Sequence, residues 1–386
     1  MARIAVVGSY APSLINFRGE MLQAFRAAGH DVLACAPEIS DDIRSTLRGW
    51  GVDVAEVPMQ RQGMRPTADL HTAWALYRVF RRWQPARVFS YTAKPVVYGS
   101  LAAWAAGARP YAFMTGLGFA YTVDTGKAYW LRRILGLLYR LAYRACDTVI
   151  FQNPDDRARM REEGVLGGGQ PTAIVNGSGI DTEAFTPVPL PERPVFLCMA
   201  RLIAEKGIRE YVGAARRVKA DHPEVAFRLA GRPEPDAPRG VTREEVEAGE
   251  QEGVIEYLGY VEDVRAALAE TTAYVLPSYR EGTPRSVLEA MAMGRPIITS
   301  DAPGCRETVE NGTNGWLVEP RTTGELEEVM RWMVNHPEEW EPMGHASRER
   351  AVTKYDVRRV NESIMEIMDL LPDTRLDEKK KAQIKT

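Results

Sequence analysis

Short apolar runs alternate with longer amphipathic stretches along nearly the whole chain. Arg3–Val7, Asp31–Ala36, Val52–Val57, Val88–Tyr91, Tyr111–Thr115, Thr148–Gln152 and Ala173–Val175 are hydrophobic with little alternation. That is how strands covered on both faces of a parallel sheet read. Between them lie segments of helical period: one ending near Ala28 with Gly29 as its stop, Thr67–Gln84, and Tyr129–Arg144. The alternation resumes with Val195–Met199, Val225–Gly231, Ile255–Val261, Ala273–Leu276, Pro296–Thr299 and Gly315–Val318, and from Thr322 onward the pattern is helical. Strand and helix in turn predict an α/β chain with doubly wound parallel sheets. Pro187, Pro189, Pro191 and Pro194 form a stiff linker, which divides the chain into domains 1–190 and 191–365, followed by a helix end and charged tail over 366–386. Leu376 to Thr386 is expected to be disordered.

The 386 residues are enough for two cores, and 45% hydrophobic with 26% charged residues is the composition of an ordinary soluble globular protein. Met1 leads directly into a strand, so no signal peptide is expected, and no apolar run is long enough to span a bilayer. The expected location is intracellular. Cys35, Cys146, Cys198 and Cys305 are scattered, with neither zinc nor redox spacing, and read as buried or free thiols. The net charge of -3 is unevenly spread: residues 1–190 hold 21 Lys+Arg against 16 Asp+Glu, the remainder 28 against 36. A basic first half points to an anionic partner. No nucleic-acid-binding motif accompanies it, so a membrane surface is the expected one. The loop after the first strand lacks G-x-G-x-x-G, which argues against a dinucleotide-dependent oxidoreductase.

Candidate chemistry concentrates in Pro277–Gly304. A strand ending at Leu276 runs through a tight loop into a helix with Pro284 at its start, Val287, Leu288, Met291 and Ala292 at helical spacing, and Gly294 at its close. Strand, loop, helix and strand is the unit that places ligands at the carboxyl ends of a parallel sheet, and the amides at such a helix start attract phosphate. Glu281 and Glu289 bracket that start. Eight helical residues span about 12 Å, too far to share a proton but suited to holding two parts of an extended ligand. Carboxylates accept hydrogen bonds from vicinal hydroxyls, so sugar and ribose are natural targets. A surface glutamate plus a capping glutamate explains the spacing equally well.

Glu281 to Glu289 matches the E-x7-E signature, and EGTPRSVLEAMAMGRPIITSDAPGCRETVENGTNGWLVEP resembles the C-terminal block, of the family 4 retaining glycosyltransferases. That resemblance implies a GT-B fold: two facing Rossmann-like, doubly wound parallel-sheet domains, with a C-terminal helix crossing back. It makes 1–190 the acceptor-binding, membrane-facing domain and 191–365 the nucleotide-sugar-binding domain. Arg201-Leu202-Ile203-Ala204-Glu205-Lys206-Gly207 is similar to the family's R-L-x-x-x-K-G segment, in which Arg and Lys bind the donor diphosphate. Two cations there neutralise the charge on a departing diphosphate, as a metal does elsewhere; a helix-start charge cluster is the plainer reading. No two aspartates are two apart, so no metal and no cofactor beyond the donor itself is expected. The resemblance makes Glu281, Arg201 and Lys206 catalytic, with Glu289, Gly282, Thr283, Pro284, Arg285, Gly231, Tyr260 and Val261 on the donor. The donor it implies is a UDP-sugar carrying a hexose or N-acetylhexosamine.

On the acceptor side, Tyr91-Thr92-Ala93-Lys94-Pro95 resembles the TxKP-type loop of members that extend lipid-linked oligosaccharides, and Lys94 offers a point charge to an acceptor diphosphate, unless it is a solvated surface lysine. Asn16, Phe17, Arg18, Thr92, Thr115 and Gly116 complete this set. Many relatives carry a His near the last of these loops; His30, His71, His222, His336 and His345 all lie elsewhere. On a helical wheel of Tyr129–Arg144, Trp130, Leu131, Ile134, Leu135, Leu138, Leu141 and Ala142 share one wide face, while Arg132, Arg133, Arg140, Arg144, Tyr129, Tyr139 and Tyr143 lie opposite. This is the pattern of a membrane-surface helix, with Trp130, Arg132, Arg133, Arg140 and Arg144 as its contacts, or of a Rossmann helix with its leucines on the sheet. The combined expectation is transfer from a UDP-sugar to an undecaprenyl-diphosphate-linked saccharide, by a cytoplasmic enzyme peripherally attached to the inner face of the cell membrane. A GT-B sugar-nucleotide epimerase and a transferase with a soluble acceptor are the alternatives.

Overall fold

The computed structural model describes residues 1–371 apart from 61, 62, 64, 119, 120, 122–125 and 235–238; the expected tail of Leu376 to Thr386 lies outside the described residues. Thirteen strands form two sheets among these residues. The first holds β1 (Arg3–Val7), β2 (Asp31–Ala36), β3 (Asp53–Glu56), β4 (Arg87–Tyr91), β5 (Arg109–Met114), β6 (Thr148–Phe151) and β7 (Thr172–Ile174), in the order β3-β2-β1-β4-β5-β6-β7. The second holds β8 (Val195–Met199), β9 (Ala226–Ala230), β10 (Glu256–Gly259), β11 (Ala273–Leu276), β12 (Ile297–Ser300) and β13 (Gly315–Val318), in the order β10-β9-β8-β11-β12-β13. Every pairing is parallel, so each strand must be followed by a crossover, and most intervening segments are helices that bury one face.

Strand order reverses direction between β1 and β4 in the first sheet and between β8 and β11 in the second. Crossovers leave these neighbouring strands toward opposite sides, so a crevice opens at their carboxyl ends. The loops at these two points are those after Val7, Tyr91, Met199 and Leu276, which include the segments singled out by the sequence.

Each sheet is buried on both faces. Phe196, Tyr211 and Phe227 centre one face of the second sheet, and Tyr274, Leu288 and Met291 the other. In the first, Phe25, Phe89 and Phe113 pack on one side and Val88, Leu76 and Phe80 on the other. The helix Val357–Ile367 does not stay with the second sheet: Val360, Ile364, Met368 and Leu370 enter the same cluster as Leu22 and Phe25. The chain thus passes between halves twice, and the two crossings hold each other through Ile180 N–H to the Tyr355 carbonyl and Val357 N–H to the Ile180 carbonyl, both 2.9 Å. The proline-rich linker is fixed from below by Arg295, fully buried, which donates to the carbonyls of Thr271, Met293, Val188 and Pro189.

Two expectations need correcting. Pro284 is the N-cap rather than the first residue of its helix, which runs Arg285–Ala292. All four cysteines are free and buried, in keeping with their scattered spacing. The larger correction concerns the helix at Tyr129–Arg144, which spans Gly126–Ala145. Tyr139 and Tyr143 are buried, packing on Val149 and Phe151, whereas Trp130, Ile134, Leu137 and Leu141 are exposed. A wheel that treats tyrosine as polar misplaces it, because the ring carries more apolar area than a leucine and one hydroxyl cannot outweigh that. Trp130, Ile134, Leu137 and Leu141 recur at spacings of four and three, so they form an outward apolar stripe, flanked by exposed Arg133, Arg140 and Arg144.

Candidate active site

Lys206 is delivered to the crevice by the loop after β8. A short 3-10 turn, Ala204–Lys206, ends at Gly207, whose φ of 71° is the left-handed conformation that glycine adopts without strain. An added Cβ there would overlap the Pro277 carbonyl, so the loops after β8 and β11 are locked together at this point. The Tyr279 N–H to the Glu205 carbonyl, 2.9 Å, adds a second tie. The result is an ion pair between Lys206 Nζ and Glu281 Oε1, with side chains only 18% and 14% exposed. Such a pair is worth more than one on the surface, and it lies at the sheet's reversal point.

Glu289 is the fifth residue of the helix Arg285–Ala292 and accepts from Arg285 Nε at 3.0 Å. Burial raises its carboxyl above the usual range, and Arg285 works against that rise. The start of this helix has no side-chain cap; the Pro284 carbonyl takes the Val287 N–H at 3.1 Å, which leaves the amides of Arg285 and Ser286 without an oxygen from the N-cap. Arg201 is not gathered with Lys206: its guanidinium pairs with Glu234 at 3.3 Å and is 56% exposed, at the rim. Gly231 donates to the Gly259 carbonyl, Tyr260 is exposed under the Arg232 guanidinium, 3.9 Å from its ring, and Val261 is half-buried beside them.

The opposite wall comes from the first sheet. Thr115 and Gly116, after β5, press on Glu281 and Gly282; a Cβ on Gly282 would overlap Gln152 Oε1 and the Thr115 carbonyl, so only glycine permits this approach. Thr92 sits at φ 68°, a conformation that costs a β-branched residue about 1–3 kcal/mol, and its hydroxyl meets that of Ser9 at 2.8 Å. The loops after β1 and β4 are joined there. Lys94 does not reach the crevice as a solvated or ligand-ready cation: it pairs with Asp69 at 2.7 Å, with side chains 13% and 6% exposed, and Tyr98 also bonds Asp69. Asn16 accepts through its carbonyl from Arg285 Nη1 of the second half, and Phe17 lies 5.3 Å from the same guanidinium. Arg18 is 2% exposed, with its guanidinium over the rings of Tyr91 and Phe113 at 4.9 and 4.7 Å.

Sequence reasoning missed the residues that hold the two walls together. Asp156, with its side chain 1% exposed, pairs with Arg280; Asp155 pairs with Arg306 at 2.7 Å; Asn153 donates from Nδ2 to the Gly282 carbonyl at 2.9 Å. Each joins the start of the helix Pro154–Glu162 to the second half. Asn-Pro-Asp-Asp is a good helix start on its own, and that local role hid the long-range one. The signal was two adjacent acids in a basic half. Among the described residues no group of His, Cys, Asp and Glu is placed to hold a metal ion, and no helix is long and apolar enough to cross a membrane.

Comparison with known proteins agrees with this fold. Residues 16–177 match the family described as Glycosyl transferase 4-like domain, and residues 193–336 match Glycosyl transferases group 1. The chain is 27% identical to the N,N'-diacetylbacillosaminyl-diphospho-undecaprenol alpha-1,3-N-acetylgalactosaminyltransferase of Campylobacter jejuni, over 86% of this chain and 89% of that protein. It is 22% identical to the capsular polysaccharide biosynthesis glycosyltransferase CapM of Staphylococcus aureus, over 82% and 85%. Among solved structures, sucrose-phosphate synthase from Thermosynechococcus elongatus superposes with a TM-score of 0.78 at 18% identity, covering 96% of this chain and 98% of that one. Anabaena HepE in complex with UDP and glucose gives 0.76 at 17%, covering 96% and 100%. The architecture is GT-B.

Proposed function

This chain belongs to the family 4 glycosyltransferases, and from that premise we propose that it moves a hexose or N-acetylhexosamine from a UDP-sugar to an undecaprenyl-diphosphate-linked saccharide, with retained configuration. The observation that carries the donor half is the meeting of Lys206 and Glu281, at the sheet's reversal point and against the Gly116 loop of the other half. A diphosphate entering here competes with Glu281 for Lys206 and leaves Glu281 free to accept from sugar hydroxyls. Arg201, exposed at the rim, swings from Glu234 to the same diphosphate. The uncapped amides of the helix start add dipoles aimed at the phosphates, and Glu289 holds the ribose.

In the transfer, the bond from the anomeric carbon to the diphosphate breaks and one to the acceptor oxygen forms on the same face. The acceptor proton passes to the departing phosphate oxygen. Lys206 and Arg201 stabilise the developing charge, the work a divalent ion does in other transferases, so we propose that no metal takes part. The acceptor half rests on the activity for which the Campylobacter relative is named and on the helix Gly126–Ala145. Its outward stripe of Trp130, Ile134, Leu137 and Leu141 beside Arg133, Arg140 and Arg144 has the chemistry of an anionic bilayer interface. This chemistry supports the reading of an enzyme held peripherally on the inner face of the cell membrane.

A thermal-shift screen of nucleotide sugars, followed by mass analysis of lipid products, tests the reading. A UDP-sugar should raise the melting temperature and then yield a glycosylated polyprenyl diphosphate. Donor epimerised in the absence of acceptor would instead make the chain an epimerase, and transfer to soluble sugars alone would remove the lipid from the account.

A further inference from the structure

Arg18 and Arg295 are both buried arginines, and burial lowers both to about 10. Arg295 is what a structural one looks like: four backbone carbonyls, from Thr271, Met293, Val188 and Pro189, accept from it. Arg18 has none. Its Nε is buried without a hydrogen-bond partner, and among the described residues no carboxylate or carbonyl accepts from it. Two aromatic rings line its faces, and the groups acting on its charge are Tyr91 and a second cation, Arg285. A buried cation with no hydrogen-bond acceptor, on whose charge a second cation also acts, is a net cost to the fold, so stability does not account for it. Arg285 reaches it from the other half of the molecule, held by the Asn16 carbonyl, by Glu289 and over the Phe17 ring.

We propose that Arg18 and Arg285 form an anion subsite on the acceptor wall, one that takes the diphosphate of the lipid-linked acceptor. Lys94, the residue the sequence offers for that task, is held by Asp69 at 2.7 Å, so an anion there must first displace a buried carboxylate, whereas Arg18 has none to displace. A diphosphate between the two guanidiniums supplies the oxygen acceptors that Arg18 lacks and relieves the repulsion between the cations. Arg285 leads the helix that carries Glu289, so an anion on it also fixes the donor helix against the Asn16–Arg18 loop. Acceptor binding thus tightens the grip between the halves. The inference rests on the proposed acceptor class, but its test does not need the natural acceptor.

The test is calorimetric titration of the full chain with inorganic pyrophosphate after saturation with UDP, which blocks the donor's own diphosphate site. Wild type should show a second binding event, weakened about tenfold or more in Arg18→Met and less in Arg285→Gln. Without ligand, Arg18→Met should melt no lower than wild type, because the methionine leaves no buried charge unpaired. With lipid acceptor, both variants should raise the acceptor KM, and Arg18→Met should leave the donor KM unchanged. Should Arg18→Met not fold, Arg285→Gln, on a half-exposed side chain, decides the matter alone. Pyrophosphate that ignores UDP-saturated wild type, or binds the variants as tightly, overturns the subsite and leaves the donor reading standing. If UDP itself fails to bind wild type, the donor reading falls and this one with it.

Discussion

The two walls of the crevice treat their cations differently. On the second-half wall Lys206 has Glu281, Arg285 has Glu289 and Arg201 has Glu234. On the first-half side Arg18 is buried without an acceptor, and no ion pair is seen for Arg133, Arg140 or Arg144 among the described residues. Paired charges can exchange partners: a ligand that takes the cation releases the acid to bind something else, and the site stays neutral when empty. Unpaired charges wait for an anion from outside the chain. The first arrangement suits a donor with both phosphates and hydroxyls, and the second suits a charged lipid at a charged surface.

Substitutions can break this contrast. The largest effect is expected from Lys206→Ala, which removes the cation proposed to bind the leaving diphosphate and should lower kcat by about a hundred- to a thousandfold, with a melting curve that remains cooperative. Steady-state kinetics beside calorimetry check it; a rate near wild type would mean the pair is structural. Next is the tie between the walls. Asp156→Ala leaves Arg280 unpaired in a site where both side chains are largely buried, and should cost about 3 kcal/mol in denaturant unfolding. A change near zero would show that the halves do not depend on this pair. On the first-half surface, Arg133→Glu with Arg140→Glu should weaken flotation with anionic liposomes by about tenfold or more, since each basic residue near such a surface contributes about 1 kcal/mol. Neutral liposomes should not tell the variant from wild type.

The smallest expected effect concerns Glu289. Its carboxyl is held above its ordinary value near 4.5 by burial, so the folded state keeps a proton that the unfolded chain has lost. Over the pH interval just above 4.5, folding stability therefore falls as pH rises. Glu289→Gln carries no such titration. The stability of the variant relative to wild type should increase with pH through that interval, measured by urea unfolding at stepped pH. A constant difference would place Glu289 in a more polar setting than the fold gives it.

Strand order could not be read from periodicity, yet the strands themselves could, because a sheet buried on both faces needs unbroken apolar runs such as Ile4–Val7 and Ala273–Leu276. The positions of Lys206 and Glu281 in the loops after β8 and β11 were legible because each lies in a compact local motif. What failed was whatever depends on a distant partner. Nothing near Lys94 in sequence announces Asp69, and nothing near Asp156 announces Arg280. Tyr139 and Tyr143 failed for another reason: amphipathic side chains take the face that packing offers, and a polar label misjudges them. Arg18 was picked out only as part of a loop, while its burial, the property that gives it meaning, is a tertiary fact.

The central claim is that Lys206 and Glu281 form one device that opens to grip a nucleotide diphosphate. Calorimetric titration of UDP into wild type, Lys206→Ala and Glu281→Gln tests it most directly. Loss of the cation should weaken UDP by about tenfold or more, whereas loss of the competing acid should leave UDP at least as tight as in wild type while abolishing sugar transfer. Equal affinity in all three proteins would contradict the account.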